Sequence, residues 1–149
     1  MKQHRLSALI VSSAMSVIVG GFAGPAFAKS EIKGAAILDT PCGKVAVKQM
    51  VLVHDGKMDE ANMLATKEMQ EQWKAMPAKD RTMMSGLMKE MSLTSDRYAA
   101  DIKANGALVV DDASATLTVR KTNKDKSGTS TETITQKFRI DGSQCLISR

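Results

Sequence analysis

The chain has 149 residues, 43% of them hydrophobic but only 3% aromatic, and its 21 Lys+Arg against 16 Asp+Glu give a net charge of +5. The cations are interleaved with acids, and neither a basic stripe nor a set of stacking rings is present, so nucleic acid is not an expected partner. The length admits one domain with a modest core once the leader described next is set aside.

Lys2, His4 and Arg5 precede an apolar run over residues 6–22, and "GPAFA" follows. Ala26 and Ala28 satisfy the small-x-small rule of signal peptidase, and Pro25 breaks the helical run before the cut. Residues 1–28 are therefore expected to be a signal peptide cleaved between Ala28 and Lys29. A retained anchor is disfavoured because the run is short and diluted by Gly20, Gly21 and Gly24. The leader takes Lys2 and Arg5 and no acid, so the mature chain keeps a charge of +3. The expected destination is outside the cytoplasm, the periplasm in particular, with no stable membrane anchor after cleavage.

Residues 29–39 read as a lead-in, a short strand or an ordered arm, and a single domain spans 40–149. Thr40 is placed to cap a helix, with Pro41 at the first helical position, where a missing N–H goes unpaired anyway. Val45, Val47, Met50, Val51 and Val53 predict that this helix is largely buried, and Gly56 stops it. A second helix is predicted over 58–76, with Ala61, Leu64, Ala65, Met69, Trp73 and Met76 at steps of three and four. Pro77 breaks it. A third begins near 78–80 and carries "TMMSGLMKEM". Met84, Met88 and Met91 recur there at i, i+4 and i+7, beside a row of Met83 and Leu87. Together they predict one broad apolar face packed between helix and sheet.

Beyond Ser92 the pattern predicts strands. "RYAADIKANGALVV" reads as a hairpin around Asn105-Gly106, since both residues tolerate positive φ. Asp111-Asp112 is expected to be a solvated turn, because strand neighbours point to opposite faces. Ala115, Leu117 and Val119 then alternate with Thr116, Thr118 and Arg120. After the polar loop "NKDKSGTS", Ile134, Gln136, Phe138 and Ile140 form the core side of another strand, and "DG" leads into the last strand, "SQCLISR". Helices followed by an antiparallel meander define an α+β fold.

The order "DGKMDEANMLATKEMQEQW", then "DDASATLTV", then "QKFRIDGSQCLIS" resembles the nuclear-transport-factor-2-like superfamily, in particular bacterial exported lumazine-binding-like domains of unknown function. "IDGSQCLI" stands in the slot of the terminal strand pair, but the usual aromatic after the turn is absent. The resemblance covers most of residues 40–148. It implies N-terminal helices packed on a curved, cone-like antiparallel sheet, whose mouth is a ligand pocket, a dimer surface or a packed core. Family enzymes place an Asp or a His–Asp pair in that cavity. No positions here match, so no catalytic residues are carried over.

Two cysteines, Cys42 and Cys145, permit one intramolecular pairing, and in an exported chain a disulfide between them is expected. The alternative is a reactive thiol at Cys42, which follows "TP" at a helix start; no C-x-x-C pair supports redox catalysis. His54, the single histidine of the mature chain, lies beside Asp55 at a helix end, where it complements the dipole. No nucleophile elbow is present, and His and Cys are too few for zinc. Copper(I) is the metal alternative, with Met50 and His54 sharing one helix face and Met84, Met88 and Met91 another. Against it stands methionine as malleable core filling. Trp73 and Tyr98 are the rings suited to line a pocket mouth, or else ordinary packing aromatics.

The sequence thus predicts an exported, non-enzymatic module that binds a small ligand or another exported protein, with a homodimer through the open sheet face as a further expectation. No cofactor is predicted. The alternatives are a methionine-based copper(I)-binding periplasmic protein and a small hydrolase or isomerase.

Overall fold

The computed structural model describes residues 29–125 and 128–149; the signal-peptide expectation for 1–28 lies outside the described residues. The lead-in is ordered: strand β1 (Ser30–Lys33) runs into a 3-10 helix (Gly34–Asp39) whose Ile37 is buried. Thr40 then caps helix α1 (Pro41–His54) as its sequence predicts. Its Oγ1 accepts from the Gly43 N–H at 3.0 Å and donates to the Ile37 carbonyl at 2.6 Å. One side chain thus satisfies a helix-end donor and ties the lead-in to α1. Gly43 is required there: a Cβ would lie 1.9 Å from the Ile37 carbonyl oxygen.

The second predicted helix divides into α2 (Met58–Asn62) and α3 (Lys67–Ala75). A tertiary interaction makes the break. Residues 64–66 pair with the last strand, Ile147 donating to the Leu64 carbonyl and Thr66 donating to the Ile147 carbonyl, both at 2.9 Å. That covers the backbone groups of an edge strand with a short parallel bridge at Ala65. Helix α4 (Ala78–Met91) follows as predicted.

The hairpin predicted around Asn105-Gly106 does not form. Residues Ser95–Asn105 are helix α5, capped by Thr94, and strand β2 (Gly106–Asp111) begins directly at Gly106. Tyr98 and Ile102, four apart, are both buried and decide for the helix. Gly106 serves close approach rather than a tight turn, since a Cβ there would sit 2.5 Å from the Ile102 carbonyl oxygen. The strand pairs instead with β1, Ile32 opposite Leu108, and with β3 (Ser114–Asp125). The Asp112 turn joins β2 to β3 with φ at 24°. β4 (Gly128–Asp141) and β5 (Gln144–Ser148) complete an antiparallel sheet in the order β1-β2-β3-β4-β5.

The helices pack on one side of this sheet. Ile37, Cys42, Ala46, Tyr98 and Ile102 meet Leu108, Ala115, Leu117, Val119, Phe138 and Ile147 in the buried core, a mixed α+β arrangement. Cys42 and Cys145 form a disulfide, Cα–Cα 5.1 Å, joining the start of α1 to β5 across 103 residues. Closing a loop of that length stabilises the fold by about 4–5 kcal/mol in the chain-entropy account.

The methionine face of α4 does not fill the core. Met83 and Met91 are 67% and 73% exposed, and Met84 and Met88 are 37% and 36% exposed. The reason is occupancy: Ile37 of the lead-in and Tyr98 and Ile102 of α5 take the space over the sheet that the sequence pattern assigns to α4. Neither α3 nor α4 has a buried residue, so both form an outer layer.

Two glycines of opposite character test these contacts. Gly43→Ala drives a methyl into backbone and lowers the unfolding free energy by about 1–3 kcal/mol. Gly86→Ala, where nothing lies within 4 Å of the added carbon, raises stability by about 0.5–1 kcal/mol through helix propensity. Urea denaturation reads both signs.

Candidate functional site

Where α1 and α5 cross the β4–β5 end of the sheet they leave an open cleft of about 480 Å³, lined by Gln49, Met50, Tyr98, Ile134, Gln136 and Ile147, with Lys137 and Arg149 also at its wall. Its floor carries a polar chain within an apolar row. Gln136 stands on the core side of β4 between Ile134 and Phe138, and faces Leu117 in register. Its Nε2 donates to Gln49 Oε1 of α1. Its Oε1 accepts from the Tyr98 hydroxyl at 3.5 Å. Such pairing is what a half-buried amide requires. Burial pushes the Tyr98 phenol up to about 12 from an ordinary 10.0, because the phenolate would lose its hydration.

Met50 and His54 brace α1 against the segment that links α4 to α5. Met50 Sδ accepts from the Leu93 N–H at 3.4 Å. The Ser92 hydroxyl donates to the Lys89 carbonyl at 2.6 Å, so its oxygen is the acceptor for His54 Nδ1 at 3.1 Å. His54 sits in the last turn of α1, where a basic residue complements the carbonyl end.

A second recess of about 210 Å³ lies among α2, α3 and α4. Met58, Met69, Met76, Met84, Met88 and Trp73 line it, and Gln49 and Arg149 border both hollows. Trp73 Nε1–H donates to Asp59 Oδ1 at 2.7 Å, which fixes the indole between α2 and α3.

The structure regroups the residues singled out in the sequence. Trp73 and Tyr98 fall in different hollows. Met84 and Met88 share the methionine recess, Met50 and His54 belong to the α4–α5 brace, and Met91 is exposed outside both. The sequence reading missed Gln49 and Gln136 as a pair. Gln136 carried a signal, as the one polar residue in an apolar alternation; Gln49 carried none. Among the described residues no group of three or more His, Cys, Asp or Glu is placed to hold a metal ion, and no helix is long and apolar enough to cross a membrane. Both cysteines are oxidised in the disulfide.

By its fold the described chain is an α+β domain with an open cleft where its helical layer meets the sheet. Among known proteins it matches no family model, no curated protein and no solved structure.

Tyr98 is the chain's single tyrosine, so ultraviolet titration of tyrosinate reads it alone. The midpoint in the folded protein should fall near 12 rather than 10.0. The folded value lies above the unfolded one, so the phenol's contribution to stability is whole below pH 10.0 and is lost as pH rises toward about 12. Tyr98→Phe should remove that alkaline loss, and a midpoint near the ordinary value would contradict the burial.

Proposed function

We propose that the protein is an exported, non-enzymatic binding module that takes a small ligand into the cleft over Gln49, Tyr98 and Gln136. The observation that carries this reading is the amide pair on the cleft floor, with Gln136 set into the apolar inner face of β4 and Gln49 bonded to it from α1. An apolar residue between Ile134 and Phe138 would pack without the desolvation cost of an amide. A glutamine kept there offers hydrogen bonds to whatever enters. The cleft's apolar walls, Met50, Ile134 and Ile147, suit a compact apolar body. The amides suit an uncharged head with both a donor and an acceptor, such as a lactam or an amide-bearing heterocycle.

Recognition rather than acid–base chemistry is favoured by the groups on the cleft floor. Amides and a thioether do not exchange protons near neutral pH, and the Tyr98 phenol is held protonated up to about 12. The leader sequence and the disulfide support export to the periplasm, where such bonds persist. The resemblance to the nuclear-transport-factor-2-like superfamily points the same way, since it implies a cone mouth between helices and sheet that admits a ligand.

A panel of small lactams and heteroaromatic amides, mapped by two-dimensional NMR, tests the proposal. Binders should shift the side-chain amides of Gln49 and Gln136 and the backbone of residues 134–137. Gln136→Leu, which keeps the volume and removes the amide, should weaken them by about tenfold, the worth of one good hydrogen bond. Binders that map elsewhere, or that ignore Gln136→Leu, would contradict it.

A further inference from the structure

The methionines are segregated. Between residues 58 and 91 the chain has eight methionines and two leucines. Yet among the described residues no methionine is buried, and the core closes on Ile37, Ile102, Leu108, Leu117, Val119, Tyr98 and Phe138. Methionine and leucine substitute for one another as filling at little cost. A helix layer needing only apolar cover would draw on leucine as readily, so the bias needs another cause.

Geometry supplies one. Met69 on α3 and Met76 just past its end flank Trp73 at steps of four and three. Met84 and Met88 stand four apart on α4, and Met58 comes from α2. All line the same recess. What these five side chains share, and leucine lacks, is a polarisable sulfur that binds soft cations and is not protonated near neutral pH. No carboxylate or imidazole side chain lines the recess, so zinc finds no ligand of its kind there, and the oxygens of Gln49, Asn62 and Gln72 on its wall are neutral amides that bring no charge to hold a hard cation. The indole of Trp73, held by Asp59, adds the ring type that best attracts a cation. Arg149 borders the recess but is exposed, so water and salt screen its charge.

We propose that this recess binds a soft monovalent cation, Cu(I), through a thioether set drawn from Met58, Met69, Met76, Met84 and Met88. The site is separate from the brace formed by Met50 and His54, and it does not depend on the ligand proposed for the neighbouring cleft. Because no free thiol is present among the described residues, a Cu(I) affinity measured with the disulfide intact reports thioethers or His54. These two differ in pH dependence. Thioether binding displaces no proton and stays flat between about pH 5 and 8, whereas an imidazole site weakens on acidification.

The experiment is competition for Cu(I) against a chromophoric chelator, using the oxidised protein and no thiol reductant. Met84→Leu/Met88→Leu should lower the affinity by about tenfold or more. Met63→Leu/Met91→Leu, on exposed methionines outside the recess, should leave it unchanged. Should the first variant fold poorly, the unmodified protein still decides the matter. On addition of Ag(I), a redox-inert soft analogue, the methyl resonances of the recess methionines should shift, and those of Met63, Met83 and Met91 should not. No Cu(I) binding, full affinity in Met84→Leu/Met88→Leu, affinity lost on acidification, or shifts centred on the exposed methionines would each overturn the proposal.

Discussion

Strand β5 is held on two sides, and the arrangement of the rest follows from that. On its inner side Cys145 is bonded to Cys42 at the start of α1. Along its free edge, Ile147 exchanges backbone hydrogen bonds with residues 64–66. The first constraint fixes α1 over the sheet. The second ends α2 and starts α3, because the chain must extend to reach the strand. With both made, the sheet's far edge is covered and the loop from α1 to β5 is closed, which removes much of the unfolded chain's freedom.

Those two constraints also explain why the helices sort into layers. α1, α5 and the lead-in supply the buried side chains that meet the sheet. α2, α3 and α4 are strung between α1 and α5 as an outer tier, with Ala61 the single buried residue among them. Two hollows result. One lies between the inner layer and the sheet and carries amides. The other lies among the helices of the outer tier and carries thioethers, with the amides of Gln49, Asn62 and Gln72 at its wall. Gln49, one of the amide pair, borders both, so the polar and soft chemistries adjoin at that residue.

What could be read in the sequence was what is decided locally. The Thr40-Pro41 start of α1, the alternation of Ala115, Leu117 and Val119, and the Asp111-Asp112 turn depend on neighbours a few residues away, and each is present. Asn105-Gly106 misled because the pair is a hairpin signature, whereas the competing signal, Tyr98 and Ile102 behind the Thr94 cap, is a helical one whose strength comes from burial. One partner of β2 is β1, a strand from before all the helices, and no local pattern announces it. The break at residues 64–66 depends on Ile147, equally distant. For the sites, Gln136 stood out as a polar residue on an apolar face, but its pairing with Gln49 needed the fold. The methionine periodicity marked a face on α4 without saying what it faces.

The central claim is that the core comprises the sheet, α1 and α5, clasped at β5, with α3 and α4 lying outside it. Native-state hydrogen exchange under increasing denaturant tests this directly. Amides of α1, α5, β2 and β3 should exchange only through global unfolding, while those of α3 and α4 should exchange through a smaller, earlier opening. Protection of α4 equal to that of α5 would contradict the account, for it would mean that the methionine-bearing helix belongs to the core after all.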